Sequence, residues 1–490
     1  MPRSIPPGRW HLPAGACVAT DPRGLRASAP LLDAWLRFQE QAPTPFTIPG
    51  HKQRLDLVGD VVAGDVPLYA GLDSMKLVDG VLADAETRAA ALWGADVCRF
   101  STGGSTHANQ AIALAVAGDG DEVVVSRTLH RSLLLGLVLA GLRPVWVRPD
   151  VDAATGLPLG VAPAAVAAAL RDHPGARAVF LGDPSYVGTI ADVAGVADVA
   201  HAHDVPLVVD AAWAAHFGFH PALPAHALTL GADAVVTSAH KALPAYSQGA
   251  LLLARTTRIP LARLDAGFEA TATTSPAGSI LASIDAARAL LERDGEELLG
   301  AAIAATRTAR DELATVEGLI VLDGPGVDPL KITLVLGATG ADGNEVEQDL
   351  LAAGLPVESA DRDVLVAVVS MADTAETVGK LTAALTASIG RRRGRPRPLV
   401  GPASYRVDPV VDVAPRSAFF APAETVPAAA AVGRTSAELI APYPPGIPVV
   451  APGERLTAEV LAALDHSRHA GLRIAYAADA TLATFRVLDG

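Results

Sequence analysis

Two residues of opposite charge close apolar runs in this chain. Asp210 ends the run Val205-Pro206-Leu207-Val208-Val209-Asp210. Lys241 ends Asp233-Ala234-Val235-Val236-Thr237-Ser238-Ala239-His240-Lys241. Continuous Val/Leu runs of this length read as strands buried on both faces, hence as parallel sheet. In such sheets chemistry sits just beyond the carboxyl ends of the strands, where both residues fall. A buried carboxylate and a lysine on neighbouring strand ends suit pyridoxal phosphate. The lysine forms a Schiff base with its aldehyde, and the carboxylate keeps the pyridine nitrogen protonated, so that the ring accepts electrons. Taken alone, such a pair is more often a core aspartate and a surface lysine that never meet, so the surroundings decide.

A phosphate cradle stands upstream. Val97 to Phe100 reads as a strand, Ser101-Thr102-Gly103-Gly104-Ser105-Thr106-His107 as a turn, and the residues through Ala117 as a helix. Glycines admit close backbone approach, and a helix N-terminus favours an oxyanion. A Gly-Gly-Ser turn is by itself weak evidence. Its place between strand and helix in an alternating pattern strengthens it.

The elements that must position these groups follow in order. Residues 1–28 form a Pro/Gly-rich arm, and 30–40 has helical spacing. The turn-rich 46–52 leaves His51 and Lys52 without an evident structural duty. Asp84 to Trp93 reads as a helix ended by Gly94. Strands at 122–126, 144–148, 177–182 and 248–254 alternate with helices at 163–171 and 192–203. The fold class is α/β, a large domain over 29–310 with a mostly parallel sheet. Helix 279–293 leads out of it. A small α+β domain over 311–390 has strands 331–336 and 364–369 and helices 343–353 and 374–389. The arginine-rich 391–399 reads as a solvated linker, and 400–490 as a C-terminal α+β domain with turns at Pro444-Pro445-Gly446 and Pro452-Gly453.

Composition narrows the class. Of 490 residues half are hydrophobic and 19% charged, with net charge −14. That permits large cores and argues against nucleic acid or an anionic membrane as partner. Cys17 and Cys98 form no CxxC. The N-terminus lacks a signal-like apolar stretch, and the run Leu133 to Leu142 is too short to span a bilayer. A cytoplasmic enzyme without a metal is expected. Ser238-Ala239-His240-Lys241 also fits S-x-x-K, but it closes a Val-rich strand and has no partner motif. His201 and His203 do not share a helix face and read as solvated. His466 and His469 read as structural or surface.

The chain resembles the Orn/Lys/Arg decarboxylase family of fold-type-I pyridoxal-phosphate enzymes, in its short form without an N-terminal wing domain. The resemblance runs from about Ala29 to the C-terminus. It is carried by FTIPGHK (46–52), Gly71-Leu72-Asp73, Trp93-Gly94-Ala95-Asp96, STGGSTHANQ (101–110), His130-Arg131-Ser132 and DPSYVG (183–188). DAAWAAHFGF (210–219), SAHKAL (238–243), Thr274-Ser275-Pro276, AFFAP (418–422), PYPPGIP (442–448) and Pro452-Gly453-Glu454 continue it. The resemblance implies an aspartate-aminotransferase-like large domain. It makes Lys241 the Schiff-base lysine, Asp210 the pyridinium partner and His130 the ring-stacking residue. Ala212 would pack the opposite ring face with Trp213 beside it. Ser105, Thr106, Ser238 and His240, with the turn of Gly103 and Gly104, would hold the phosphate. Ser275 would reach the cofactor of a neighbouring subunit in a homodimer or larger homo-oligomer. Lys52 and Glu454 are weaker candidates for substrate contacts. The chain departs from the family's usual pattern at Ala211, Ala239 and the Ser185-Tyr186-Val187 stretch, which bears on phosphate contacts and substrate preference.

The implied reaction is decarboxylation of lysine, ornithine or arginine to a diamine or agmatine and CO2. Lys241 or His130 is the candidate proton donor to Cα. An aminotransferase or another fold-type-I lyase, and a catalytically silent ligand-binding relative, are the alternatives; retention of both Lys241 and Asp210 argues against the last.

Overall fold

The computed structural model describes residues 20–41, 46–66, 80–398, 407–443, 446–469 and 471–489. Gly71-Leu72-Asp73, Cys17, most of the N-terminal arm and the Pro444-Pro445 turn lie outside the described residues. The centre is a seven-stranded sheet. Its strands are β1 (Val97–Ser101), β2 (Glu122–Ser126), β3 (Arg143–Val147), β4 (Val179–Gly182), β5 (Leu207–Asp210), β6 (Ala234–Ser238) and β7 (Ala250–Ala254), in spatial order β1-β7-β6-β5-β4-β2-β3. Only β7 runs against its neighbours in this sheet; the remaining pairs are parallel.

The strands are apolar throughout because both sheet faces are covered. Leu207, Val209 and Val235 enter one core, whereas Val208, Ala234 and Val236 enter the other. The first core is covered by α1 (Pro30–Gln41), α2 (Val81–Trp93) and a long helix, through Leu31, Ala89 and Leu281. The second is covered by α3 (Gly104–Val116) and α4 (Arg131–Ala140), through Ile112, Leu134 and Leu137. Helix α2 stops at Gly94, which adopts φ +72 and donates to the carbonyls of Ala90 and Ala91, a left-handed C-cap. The strand expected over 248–254 starts two residues late, because Gln248 has φ +75 and begins the turn into β7.

The long helix, α5, spans Gly278–Ala314 rather than ending near 293. Arg293-Asp294-Gly295 does not stop it because the buried stripe continues through Leu291, Leu299, Ala302, Thr306 and Leu313. It therefore joins the large sheet to the small antiparallel one. There β8 (Ile320–Val321), β9 (Lys331–Val335), β10 (Ser359–Ala360) and β11 (Val364–Val368) lie in the order β8-β9-β11-β10. Ile332, Leu334, Leu365 and Leu385 belong to the same continuous core as the large sheet.

Three local expectations are corrected. The basic run is not a free linker. Arg392 pairs with Asp349 at 2.8 Å, and Arg397 bonds Asp363 and the carbonyls of Gly340 and Ala341, stitching the run to the small domain. His201 is not simply solvated, since its Nε2 lies 2.8 Å from the buried Asp233 carboxylate. The N-terminal arm, read from its composition as loose, is docked near its end, where Leu25 packs with Ala29, the first residue of the large domain, on Ala289 of α5. The C-terminal unit pairs Ala423–Pro427 with Thr484–Leu488 around its own core of Ile440, Leu456, Leu464 and Phe485.

Candidate active site

Asp210 is the last residue of β5 and 8% exposed. Its Oδ2 accepts from Nδ2 of Asn109 at 2.8 Å, whereas its Oδ1 is buried with no partner among the described residues. A buried carboxylate oxygen left unpaired is costly. A protonated ring nitrogen is the donor such an atom lacks, so the residues fit the pyridine end of pyridoxal phosphate.

Asn109 is one residue that sequence reasoning did not single out, although it stands inside STGGSTHANQ. Its Nδ2 also reaches Ser132 Oγ at 3.0 Å, and Ser132 Oγ lies 2.8 Å from His130 Nδ1. A chain of hydrogen bonds thus runs from Asp210 to His130. The Ser132 amide donates to the same Nδ1, making His130 the N-cap of α4. An amide can only donate, so Nδ1 is an acceptor and the ring carries its proton on Nε2. Burial lowers the His130 pKa, with Asp210 pulling the other way, in keeping with the neutral ring that the acceptor role of Nδ1 requires.

The cradle works differently from the simplest expectation. The Gly103 amide is taken by Ser101 Oγ, and the Gly104 amide by the Gln248 carbonyl at 2.8 Å. The first free donors of α3 are the amides of Ser105 and Thr106, unpartnered among the described residues. Gly104 has φ +70, which sets up this turn at no steric cost. Ser105 Oγ and Ser238 Oγ meet at 2.7 Å, bringing the ends of β1 and β6 to one anion-binding corner. His240 Nδ1 lies 2.9 Å from the Gly249 carbonyl, which turns the ring beside that corner. Thr106 is exposed, and among the described residues no side-chain hydrogen bond ties it to the corner.

Lys241 sits in the one-turn helix Ala239–Ala242 that follows β6. Its Nζ lies 4.0 Å from the Trp213 ring centroid. Burial lowers the Lys241 pKa against the pull of Asp210 and Glu358. A larger fraction of neutral, nucleophilic amine results. Ala212 is half-buried between Asp210 and Trp213, and its carbonyl accepts from Ser238.

Three candidates fall elsewhere. Glu454 does not face a substrate. Both its oxygens are held by Arg127, at 2.6 and 2.8 Å, and one also by the Ala451 amide, in a buried pair that pins the C-terminal unit beside β2. Lys52 donates to the Thr47 carbonyl of its own loop, and its neighbour His51 faces Asp65 at 3.3 Å. Ser275 lies on an exposed turn, its amide bonded to Thr273 Oγ1, and no hydrogen bond among the described residues ties it to Lys241 or Ser238. Among the described residues no cluster of three His, Cys, Asp or Glu side chains forms a metal site, and no helix is long and apolar enough to cross a membrane.

A sheet with one reversed strand, a carboxylate and a lysine on adjacent strand ends and an anion corner between two hydroxyls define a fold-type-I pyridoxal-phosphate enzyme. Residues 29–325 match the Orn/Lys/Arg decarboxylase major domain and 402–471 the C-terminal domain of the same enzymes. The chain belongs to the Orn/Lys/Arg decarboxylase family and is a pyridoxal-phosphate-dependent amino-acid decarboxylase. It is 32% identical over 480 residues to an arginine decarboxylase of Halalkalibacterium halodurans, covering 94% of this chain and 97% of that one. It is 29% identical over 478 residues to an arginine decarboxylase of Bacillus subtilis, with the same coverage. The lysine decarboxylase LdcF of Francisella novicida has the same fold, with TM-score 0.80 at 20% identity, over 94% of this chain and 81% of that one.

Proposed function

We propose that this chain decarboxylates L-arginine to agmatine and CO2, acting in the cytoplasm as a homodimer or larger homo-oligomer. The unpaired, buried Oδ1 of Asp210, on the strand beside the one leading to Lys241, supports pyridoxal-phosphate chemistry, and the family match supports decarboxylation as the reaction. The choice of arginine among the basic amino acids is supported by the full-length relatives named arginine decarboxylase. Exposed apolar side chains such as Phe46 and Val61 favour an oligomer, in which the Thr273–Ser275 turn would serve a neighbouring site.

Pyridoxal phosphate supplies, when bound, an aldehyde for the substrate amine and a ring that accepts the electron pair released as CO2 leaves. The chain's own residues do the rest. Asp210, oriented by Asn109, holds a proton on the ring nitrogen. Neutral His130, locked by Ser132 and Asn109, offers a flat face. Ser105, Ser238 and the free amides of α3 bind the phosphate dianion. Lys241, neutral in part because it is buried, makes the covalent link. Lys241 in its ammonium form, or His130 through Nε2–H, gives Cα the proton that replaces the carboxyl group.

The test is product analysis by mass spectrometry with arginine, lysine and ornithine, with CO2 and keto-acid measured together. Agmatine and CO2 in equal amounts from arginine, without keto-acid, is the expected result. Keto-acid formation would indicate an aminotransferase, and cadaverine or putrescine as the main product would replace arginine as the substrate.

A further inference from the structure

A second lysine stands at the same tryptophan. Lys331 opens β9 of the small domain and is 1% exposed. Its Nζ lies 4.0 Å from the Trp213 centroid, as does that of Lys241. The two amines are therefore within two ring-contact distances of each other, one from each domain.

The surroundings hold Lys331 in place without pairing it with a carboxylate. Its stem passes over Gly188, where an added Cβ would come within 3.1 Å of the lysine Cβ and Cδ. Gly188 thus closes the DPSYVG motif with the one residue small enough for this passage. Arg310 binds the carbonyls of Asp328 and Lys331, and Thr333 Oγ1 bonds the Val187 carbonyl at 2.8 Å, fixing β9 against that loop. Lys331 Nζ donates to the Tyr186 carbonyl at 2.7 Å, and no second acceptor and no ion pair meets it among the described residues. An ammonium has three donors, so two are left over. The carboxylates nearby are committed elsewhere. Asp328 Oδ1 receives the Leu330 amide at 2.9 Å and faces His216 at 3.4 Å, and Glu358 accepts from the Tyr186 hydroxyl at 3.0 Å. Beyond the Tyr186 carbonyl, Nζ faces, among the described residues, only the Tyr186 and Trp213 rings, at 5.4 and 4.0 Å from their centroids; in its ammonium form it has donors to spare for an anion at the ring that also contacts Lys241.

We propose that Lys331 binds the α-carboxylate of the amino-acid substrate and sets the direction of the bond that breaks. The proposal rests on the decarboxylase reading and deepens it. The substrate amine must come to Lys241, so its carboxylate, one carbon away, comes within reach of a group sharing Trp213. Once CO2 leaves, the product amine has nothing for Lys331 to hold, which favours release. The charged and titratable groups around Lys331 are Asp328, His216, Arg310, Glu358, Tyr186 and Lys241. Burial dominates over the pull of Asp328 and brings the Lys331 pKa down to about 7. Substrate binding therefore weakens as pH rises through neutrality.

Lys331→Met keeps the stem on Trp213 and removes the charge. The experiment uses holoenzyme and whichever amino acid and product amine the wild type turns over. The expected result is a KM for the amino acid raised at least tenfold, with the calorimetric Kd of the carboxylate-free amine changed less than twofold. Equal weakening of both ligands, or an unchanged KM, would overturn the proposal. Lys331→Arg is the second variant. It keeps a permanent charge, so binding is retained and the rise of KM above neutral pH flattens. A wild-type pH profile kept in this variant would also overturn it. Borohydride labelling of Lys241 in both variants keeps the two readings apart. Label present with amine binding lost sinks only the role of Lys331, whereas wild type without label on Lys241 sinks the decarboxylase reading and this one together.

Discussion

Among the described residues the Asp210 carboxylate makes one side-chain hydrogen bond and leaves one oxygen without a partner, and that asymmetry is the site's most informative feature. Asp210→Asn preserves shape but loses the charge that holds the ring proton. Cofactor should still bind while kcat falls by orders of magnitude, since a buried charged hydrogen bond is worth about 1.5–3 kcal/mol or more; near-normal turnover would mean another group protonates the ring. Asn109→Ala removes the donor shared by Asp210 and Ser132. It should lower kcat about tenfold or more, by the same scale of one charged hydrogen bond, with the Lys241 label intact; unchanged steady-state kinetics would contradict the relay. Asp210, Lys241 and His130 were legible in the sequence because each follows a strand and stands in a recognisable motif. Asn109 and Lys331 were not. An amide in an Ala-rich helix and a lysine opening Lys331-Ile332-Thr333-Leu334-Val335 disturb no periodicity, and their partners are distant in the chain.

The turn between β1 and α3 is where sequence and geometry are most tightly tied. Gly104 adopts φ +70 and gives its amide to Gln248, which frees the next two amides for an anion. Gly104→Val strains that backbone because φ +70 disfavours a β-branched side chain, although the added Cβ itself would make only an ordinary 3.9 Å contact with the Gln248 Cα. Pyridoxal phosphate should dissociate at least tenfold more readily, read by equilibrium dialysis of the reconstituted protein; unchanged affinity would dissociate the turn from the phosphate. Strands of the large sheet were readable as Val-rich runs because both faces are buried. The end of α5 was not, since a local Arg-Asp-Gly signal was overridden by a buried stripe that tertiary packing extends. The two-residue strands β8 and β10 are too short to carry a pattern.

Across the whole molecule, a buried ion pair with two hydrogen bonds helps anchor the C-terminal unit, beside the packing of Leu439 and Ala451 in the second core and the Arg416 bonds to the Val138 and Leu139 carbonyls. Arg127 sits between Glu454 and the Trp146 ring, 4.5 Å from its centroid, and also bonds the Val449 carbonyl. Because Arg127 lies three residues before His130, the pair ties domain packing to the segment that carries His130. Glu454→Ala leaves the guanidinium buried without its counter-charge. It should destabilise the fold by about 3–5 kcal/mol, read as a lower midpoint in chemical denaturation; an unchanged midpoint would show that the pair contributes nothing net. The sequence offered Glu454 as a substrate contact because a carboxylate in a motif carries no mark of its burial. Its partner is more than three hundred residues away in the chain. The three-part division was readable from changes of rhythm, whereas the continuity of one core through the large and small sheets was not.

The central claim is that Lys241 carries the cofactor opposite Asp210. It is tested most directly by reducing the holoenzyme with borohydride, digesting it and mapping the pyridoxyl group by mass spectrometry. The account predicts one labelled peptide, with the group on Lys241, and no label in Lys241→Arg, whose guanidinium stays protonated and forms no such link. A pyridoxyl group on Lys331 or any other lysine of the wild type, or on none, would contradict it.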